Sequence, residues 1–461
     1  MIPMTLDEIA RVVGARLHDV PDPGARVTAP AAVDSREVAP GGLFAATAGA
    51  RVDGHDYAAA AVAGGAVAVL AERPVGVPAL VAGDVQTALG LLARHLLGRI
   101  DPTVIALTGS VGKTTTKDLL AQVLERHGPT VATDRSFNNE LGLPLTVLRA
   151  DAATRYLVLE MGAGRKGDLT YLTGIAPPQV GLVLNVGTAH VERMGGGLAD
   201  VAEAKGELVA ALPPDGLALL NADDPYVAAM AGRTRAEVLW YGGTAPVRAE
   251  NVRLDGAARA AFELVTPTGR APVALGLLGA HQVGNAVAAA AVATALGLDA
   301  AEIAEALTAA RRRSAGRLEL VERPDGVTVV NDAYNANPES MRAGLRAARA
   351  LAGDRRAVAV LGAMGQQADA SRARHAEIGR LVADLGYGVL ITVGAGDPLA
   401  MADAARAAGR GVAVHTAGDA AEAVTLATAL LRPGDVVLVK ASSEVGLAAC
   451  ARALAGAGRT S

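Results

Sequence analysis

The strongest chemical signal in this sequence is a glycine-rich turn with a lysine, Thr108-Gly-Ser-Val-Gly-Lys-Thr-Thr-Thr116, between a predicted strand and a predicted helix. In such a turn, backbone N–H groups face phosphate oxygens and the helix N-terminus favours negative charge. Lys113 would reach the β- and γ-phosphates, and Thr114 or Thr115 would hold Mg²⁺. The usual motif has glycine where Leu107 stands, so this variant is shortened, and a plain turn with an exposed lysine is the alternative. We expect ATP or GTP to be bound by Gly109, Ser110, Val111, Gly112, Lys113, Thr114 and Thr115.

Three further charged or titratable residues are candidates for the chemistry around those phosphates. Glu160 ends an apolar run and precedes Met161-Gly162, and an acid at the carboxyl end of a sheet strand is well placed to ligate Mg²⁺. His190 follows another apolar run; a lone histidine is usually structural, so a metal role for it depends on Glu160. Lys205 lies among glutamates and, by itself, indicates a charged helix face.

Two clusters of amides are further candidates, and the second of them follows a predicted strand. Asn138 and Asn139 lie in Ser136-Phe-Asn-Asn-Glu-Leu-Gly-Leu-Pro144, where plain turn chemistry is the alternative. Tyr334, Asn335 and Asn337 lie in Asn331-Asp-Ala-Tyr-Asn-Ala-Asn-Pro338. Ligands of doubly wound folds bind at the carboxyl ends of strands, and these directional polar groups suit a peptide or a nucleotide.

The elements that must position these residues alternate between strands and helices, which predicts an α/β fold with mostly parallel sheets. A helix is expected at 113–127, and the arginine run 311–313 is expected to be a solvated helix end. The part of the chain that follows the arginine run has a second pattern of this kind, typical of a doubly wound sheet. Strands are expected at 42–48, 66–71, 79–81, 103–109, 156–159, 180–185, 218–221, 327–331, 357–361, 388–393, 411–415 and 436–440.

Length and composition limit the class of protein. A chain of 461 residues with 51% hydrophobic residues predicts two to four folded domains. Its net charge of −4 disfavours a nucleic-acid partner, and its single cysteine permits no internal disulfide. The N-terminus reads as an amphipathic helix capped near Thr5, and the longest near-apolar stretch, 286–298, is shorter than the roughly 20 residues of a membrane span. We therefore expect a cytoplasmic protein without membrane insertion.

Taken together and in order, these motifs resemble those of the Mur ligases over nearly the whole chain. Asp34-Ser-Arg36, Asp53-Gly-His-Asp56 and Asp332-Ala-Tyr-Asn-Ala-Asn-Pro-Glu-Ser340 are most similar to the family members that add a dipeptide. The other matching motifs are the phosphate loop, the Asn138–Pro144 segment, Glu160-Met-Gly162, Asn185-Val-Gly-Thr-Ala-His190, Ala204-Lys-Gly-Glu207 and Asn221-Ala-Asp-Asp224.

The resemblance implies a three-domain Mur ligase architecture. Residues 1–98 would bind a UDP-sugar, residues 99–313 would form a central P-loop ATPase domain with a parallel sheet, and residues 314–461 would form a Rossmann-like domain for the amine substrate. ATP and Mg²⁺ are the implied cofactors. The implied partners are small molecules, UDP-muramoyl-tripeptide and D-alanyl-D-alanine, joined by a monomer through an acyl phosphate. One site built from three domains also implies domain closure, which would keep water from that intermediate.

The resemblance also implies roles for single residues. Thr114 and Glu160 would hold a first metal ion, and Glu160 and His190 would approach a second. Lys205 matches the lysine that several Mur ligases carry as a carbamate. The implied catalytic set is thus Lys113, Glu160, His190 and Lys205. The further implied ATP contacts are His281, Asn285, Arg317 and Asp332. The implied substrate contacts are Ser35, Arg36, Asn138, Asn139, Tyr334, Asn335 and Asn337.

The sequence departs from the usual family pattern at three places. Val111 stands where these ligases usually have asparagine, Ala363-Met-Gly-Gln-Gln-Ala368 replaces an acidic segment, and Lys440-Ala-Ser-Ser443 lacks the usual final arginine. One alternative is therefore a paralogue that ligates a different amine. A folylpolyglutamate-synthase-like ligase and a nucleotide-dependent switch protein are the others, and the Glu160, His190 and Lys205 set disfavours the switch.

Overall fold

The computed structural model describes residues 1–49, 52–365 and 370–456, which form three α/β units in chain order. In the first unit, a five-stranded sheet has the order β2-β7-β6-β5-β4 and is parallel except for the β2–β7 pair. Strands β1 and β3 form a separate antiparallel pair. The elements are β1 (Met4–Thr5), α1 (Leu6–Val13), β2 (Arg16–His18), β3 (Arg26–Val27), β4 (Ala31–Ala32), β5 (Leu43–Ala45), a 3₁₀ helix (Gly54–Tyr57), α2 (Ala58–Ala63), β6 (Ala68–Ala71), β7 (Ala79–Val81) and α3 (Val85–Leu97).

The N-terminal helix α1 forms as its sequence predicts. The hydroxyl of Thr5 accepts a hydrogen bond from the Glu8 backbone N–H and caps the helix, so the expected cap is confirmed. Leu6, Ile9 and Val13 recur at helical spacing and are buried where α1 packs against α3.

The central unit is built on a six-stranded, fully parallel sheet of order β13-β12-β11-β8-β10-β9. Its inner strands are continuous apolar runs because helices cover both faces of the sheet. The elements around this sheet are β8 (Thr103–Thr108), α4 (Lys113–Leu124), β9 (Thr130–Ala132), α5 (Gly142–Val147), β10 (Tyr156–Glu160), α6 (Asp168–Ile175), β11 (Val180–Val183), α7 (Val191–Met194), α8 (Leu198–Ala210), β12 (Leu217–Asn221), α9 (Pro225–Ala228), a 3₁₀ helix (Ala229–Arg233) and β13 (Glu237–Tyr241).

A three-stranded antiparallel sheet, which the sequence analysis did not predict, completes the central unit. It consists of β14 (Arg248–Leu254), β15 (Arg259–Thr266) and β16 (Gly269–Leu278). Buried residues alternate along β16 at Ala271, Val273 and Leu275. The sheet packs against the two helices that follow it, α10 (Gln282–Ala295) and α11 (Ala300–Ala309).

The last unit has a six-stranded sheet of order β17-β18-β22-β19-β20-β21, parallel except for the β17–β18 pair at its edge. This is the doubly wound pattern that the sequence predicts. Its elements are β17 (Glu319–Glu322), β18 (Thr328–Asn331), α12 (Pro338–Ala352), β19 (Ala357–Leu361), α13 (Ser371–Asp384), β20 (Val389–Val393), α14 (Asp397–Ala407), β21 (Ala413–Ala417), α15 (Ala420–Leu430), β22 (Val436–Lys440), a 3₁₀ helix (Ser443–Val445) and α16 (Leu447–Gly456).

The linker between the central and last units runs along helix α4. The buried Asp118 carboxylate accepts hydrogen bonds from the backbone and the hydroxyl of Ser314 at 3.2 and 2.7 Å. Gln122 bonds both backbone groups of Arg311, and Glu125 forms an ion pair with Arg313 at 2.5 Å. The arginines are exposed as expected, but they follow α11 instead of ending it. Arg311 and Arg313 bond residues at the end of α4, and Arg312 pairs with Glu319 of β17.

Each of the twelve expected strands overlaps an observed strand, and three of them, at 79–81, 357–361 and 436–440, have the expected bounds. The strand expected at 411–415 lies two residues later, and the helix expected at 113–127 ends at Leu124. The expected boundaries after residues 98 and 313 fall between α3 and β8 and between α11 and β17, and they stay predictions. None of the helices in the described ranges is long and apolar enough to cross a bilayer.

Candidate active site

The phosphate loop joins the end of β8 to the start of α4. Gly112 caps the helix with a φ of +85°, and a Cβ there would lie 2.4 Å from Asn285 Oδ1, so both the backbone and the packing require glycine. The side-chain oxygen of Asn185 accepts hydrogen bonds from the backbone N–H groups of Ser110 and Val111 at 3.0 and 2.9 Å. The loop is therefore held in shape by the central unit itself.

Lys113 is the first residue of α4 and faces the interior of the site. Its Nζ donates to the Gly109 carbonyl at 2.7 Å. Burial lowers its pKa, Arg317 lowers it further, and the carboxylate of Glu160 opposes both effects. The phosphates of a bound nucleotide would supply negative charge that balances the positive charges of Lys113 and Arg317.

Glu160 ends β10 and leaves one oxygen unused. Its Oε1 accepts a hydrogen bond from Asn138 Nδ2 at 2.6 Å, whereas its buried Oε2 has no partner among the described residues. Thr114 Oγ1 lies 3.0 Å from the Ser136 hydroxyl. An orphaned carboxylate oxygen that lines the same cleft as a threonine hydroxyl fits Mg²⁺, which takes oxygen ligands and often only one carboxylate together with phosphates and water.

The donor set for a metal ion is small. No cluster of three or more His, Cys, Asp or Glu side chains occurs in the part of the chain described. His190 lines the same cleft as Glu160 and starts α7 with a φ of +59°. Any ion bound here would therefore complete its coordination with nucleotide and solvent oxygens.

Lys205 lies on α8, outside the cleft, and is 2% exposed. Burial lowers its pKa well below the ordinary value, and the charge of Lys113 lowers it further. A neutral amine is the form that reacts with carbon dioxide, so this environment is compatible with the implied carbamate.

A cleft of 1390 Å³ brings most of the predicted residues together. Residues of the central and last units line it, and Gln86 of the first unit reaches its edge. The predicted residues in it are Ser110, Val111, Gly112, Lys113, Thr114, Thr115, Asn138, Asn139, Glu160, His190, Arg317, Tyr334, Asn335 and Asn337.

A second cavity of 430 Å³ also adjoins the phosphate loop. It contains His281, Asn285 and Asp332, and it shares Val111, Gly112, Thr115 and Arg317 with the large cleft. This division suits a nucleotide whose phosphates lie in the cleft and whose base lies in the smaller cavity.

Arg317 and Asp332 connect this site to the last unit. The Arg317 guanidinium lies 4.3 Å from the centre of the Tyr334 ring and donates to Thr114 Oγ1 at 3.2 Å. Asp332 forms a buried ion pair with Lys440 at 2.7 Å and accepts a hydrogen bond from the Leu318 backbone. Burial lowers the pKa of Lys440, and Asp332 opposes that shift.

Three of the asparagines that are predicted to contact substrate also accept hydrogen bonds from the nearby backbone. The side-chain oxygen of Asn337 caps α12 by accepting the Ser340 N–H at 2.8 Å. Asn139 and Asn335 accept hydrogen bonds from Gly142 and Ala336. Turn chemistry therefore occupies their oxygens, and within the described ranges their NH₂ groups remain available to a substrate.

Ser35 and Arg36 lie outside both cavities. The guanidinium of Arg36 makes a two-point contact with Asp34 at 2.9 and 2.6 Å, which lowers the pKa of that carboxyl to about 2. The nearby motif of the first unit is structural: His55 bonds Asp53 through Nδ1 and accepts the Glu72 N–H at Nε2.

Two of the residues that depart from the family pattern lie at the large cleft. Val111 and Ser443 line it. Ala363 is described, but Gln366, Gln367 and Ala368 lie outside the described residues. The cleft is also lined by three cations that were not predicted from the sequence, Arg165, Lys166 and Arg193. Arg165 and Lys166 could have been recognised in the sequence as a basic pair between Gly164 and Gly167, shortly after Glu160-Met-Gly162.

Comparison with known proteins agrees with this architecture. Residues 32–95 match the Mur ligase family catalytic domain, residues 107–293 the Mur ligase middle domain, and residues 316–443 the Mur ligase glutamate ligase domain. The UDP-N-acetylmuramoyl-tripeptide–D-alanyl-D-alanine ligase of Mycobacterium tuberculosis H37Rv is 45% identical, and the match covers 98% of each chain.

Solved structures of related proteins have the same fold as this chain. A crystal structure of MurF from Acinetobacter baumannii has a TM-score of 0.85 at 31% identity and covers 98% of this chain and 99% of its own. The MurF ligase of Thermotoga maritima, solved in complex with ADP, has a TM-score of 0.77 at 29% identity, covering 93% of this chain and 97% of its own. The predicted three-domain Mur ligase fold is thereby confirmed, and the chain belongs to the Mur ligase family, in its MurF group.

Proposed function

We propose that this chain is the ATP-dependent ligase that joins D-alanyl-D-alanine to UDP-N-acetylmuramoyl-tripeptide, a cytoplasmic step in making peptidoglycan precursors. The observation that carries the proposal is the composite cleft, where the phosphate loop meets the Tyr334-Asn-Ala-Asn337 motif of the last unit. The 45% identity to the mycobacterial ligase along 98% of both chains supports the same substrates.

The first chemical step transfers the γ-phosphate of ATP to the terminal carboxylate of the tripeptide. A carboxylate that approaches a triphosphate is repelled by it, so the site must supply positive charge where negative charge develops. Lys113 and Arg317 both donate hydrogen bonds to residues of the phosphate loop. Thr114 and Glu160 would hold one Mg²⁺ and Glu160 with His190 a second, and Mg²⁺ would neutralise phosphate charge during the transfer.

The second step is attack of the dipeptide amine on the acyl phosphate, which forms the amide and releases orthophosphate. The exposed Tyr334 and Asn335 and the NH₂ group of Asn337 are the proposed contacts for the dipeptide. Asn138 and Asn139 would contact the muramoyl peptide, and Ser35 and Arg36 the UDP end. Because the acyl phosphate reacts with water, we propose that residues 1–98, 99–313 and 314–461 close around it as three domains.

Lys205 is proposed to act as a carbamate. Its amine is buried, and burial lowers its pKa, which favours the neutral, nucleophilic form. A carbamate there would place a negative charge near Lys113 and favour the protonated form of that lysine.

The test is product analysis by mass spectrometry. The protein is incubated with Mg²⁺, ATP and UDP-N-acetylmuramoyl-tripeptide, and D-alanyl-D-alanine or another amine is added separately. A UDP-muramoyl-pentapeptide that forms only with D-alanyl-D-alanine supports the proposal, and a Lys113→Met variant provides the inactive control. Product with a different amine only would identify the paralogue, and ATP hydrolysis without any amide would identify a switch.

A further inference from the structure

One side chain of the last unit reaches across the site and holds a loop of the central unit. Glu339 is the second residue of α12 and lies two positions after Asn337. Its Oε1 accepts hydrogen bonds from the backbone N–H and the hydroxyl of Thr188, both at 3.1 Å, and Oε2 lies 3.2 Å from the same hydroxyl. Both residues are half-buried.

The loop that Glu339 holds is also bonded to the phosphate loop. Gly187 donates its N–H to the Ser110 hydroxyl at 2.8 Å, and that hydroxyl lies 3.1 Å from the Gly187 carbonyl. Asn185 bonds the backbone of Ser110 and Val111. Residues 185–188 therefore contact the phosphate loop on one side and α12 on the other.

The approach of α12 to this loop is close enough to restrict its sequence. A Cβ on Gly187 would lie 3.1 Å from the Glu339 carboxyl carbon, so any larger residue there would require the Glu339 side chain to shift away from the loop. An acid in the first turn of a helix is favourable without any partner. That effect does not explain a two-oxygen contact with a residue 151 positions away in another unit.

We propose that Glu339 is a positioning residue that couples the phosphate loop to the dipeptide motif and keeps the units closed while the acyl phosphate exists. It acts through Thr188 and touches no reacting atom. The inference rests on the proposed ligase function. Its consequence is a tight stoichiometry, because an enzyme that stays closed releases one orthophosphate for each amide bond formed.

The experiment compares Glu339→Gln, Thr188→Val and the double variant with the wild-type protein. Glu322→Gln, on an exposed residue of β17, is the matched control. The main readout is the ratio of orthophosphate to amide product, with kcat and KM for each substrate. We expect a ratio of one for wild type and control, a ratio above one for each single variant, and a kcat lowered about tenfold, as for loss of a hydrogen bond to a charged group.

The double variant should be no worse than the poorer single variant, because both changes remove the same contact. A ratio of one and an unchanged kcat in both single variants would overturn the inference. A higher KM for ATP with a ratio of one would also overturn it and would assign Glu339 to nucleotide binding.

A second measurement is independent of the amide product. Small-angle scattering with Mg²⁺ and a non-hydrolysable ATP analogue should give a larger radius of gyration for Glu339→Gln than for wild type and control. Equal radii would contradict the inference. If the wild type forms no amide, the proposed function fails by itself, and scattering still decides the role of Glu339.

Discussion

Arg317 lies with its guanidinium 4.3 Å from the Tyr334 ring centre while it donates to Thr114 on the phosphate loop. One side chain from the start of the last unit thus contacts both the nucleotide loop and the motif proposed for the dipeptide. A cation over an aromatic face is stabilised by the ring itself, so the ring fixes the position of the charge.

Replacing Tyr334 should separate the effect of the ring from that of the hydroxyl. Tyr334→Leu removes the face on which Arg317 stacks, and we expect kcat/KM for ATP to fall about three- to tenfold, in line with the strength of a partly exposed cation–π contact. Tyr334→Phe keeps the ring and should stay near wild type for ATP. Steady-state kinetics check this, and equal losses in both variants would assign the effect to the hydroxyl.

Glu160→Gln should weaken the response of the enzyme to Mg²⁺. The change keeps the acceptor for Asn138 but removes the charge of the carboxylate whose Oε2 is buried without a partner. We expect the rate at saturating ATP to fall at least about 100-fold, the order of magnitude for losing one group that stabilises transition-state charge, and the Mg²⁺ concentration for half-maximal rate to rise. Glu237→Gln, on an exposed residue of β13, is the control. An unchanged Mg²⁺ titration would remove Glu160 from the metal site.

Carbon dioxide should control the activity through Lys205. We expect protein prepared in degassed, CO₂-free buffer to lose most of its activity and to recover it on addition of bicarbonate, because burial lowers the pKa of this amine and favours the neutral form that can form a carbamate. Lys205→Met should be poorly active and insensitive to bicarbonate. Activity of the wild type that is equal with and without CO₂ would contradict the carbamate.

Lys205 should also make folding stability depend on pH in a defined direction. Its pKa is lowered in the folded protein, so the unfolded chain binds more protons between that lowered pKa and the ordinary value of 10.5. Stability attributable to this residue therefore rises with pH through that window. In CO₂-free buffer, Lys205→Met should melt above wild type at neutral pH, and the difference should shrink towards pH 10. Thermal melts as a function of pH measure it, and a constant difference would refute the assignment.

The Asp332–Lys440 pair should be costly to break from one side. Asp332→Asn leaves a buried ammonium without its carboxylate, and we expect a loss of about 3–5 kcal/mol in the free energy of unfolding. The joint change Asp332→Leu with Lys440→Met should recover much of that loss. Urea unfolding of both variants measures the difference. A loss below 1 kcal/mol for the single variant would indicate that Lys440 is stable as a neutral amine.

Single strands, turns and helices of this fold could be predicted from the sequence because the residues that determine each of them are close together in the chain. The strand, turn and helix around Lys113 occur within about twenty residues, and the N-cap at Thr5 needs only Glu8. Strand β16 was missed because alanine, proline and glycine, which have low strand propensity, occupy many of its positions. Its alternation of buried and exposed residues was nevertheless present.

The site was predictable as a set of residues but not as a geometry. Family motifs indicated the residues that meet in the cleft, yet nothing in the sequence relates Glu339 to Thr188 across 151 positions. The partners of the arginine run were hidden for the same reason, since Arg313 meets Glu125 only after the units have packed. The oxygen of Asn337 shows the converse, a predicted ligand residue that also caps a helix.

The way in which the linker follows α4 determines where this protein can be divided. A cut at residue 310 would leave the buried Asp118 without its hydrogen bonds from Ser314, and would remove the Arg311 and Arg313 partners of Gln122 and Glu125. A cut after Gly316 preserves all three contacts. A fragment meant to carry the nucleotide-binding unit alone should therefore extend through Ser314, one residue past the boundary expected from the sequence, and shorter fragments should be prone to proteolysis and aggregation.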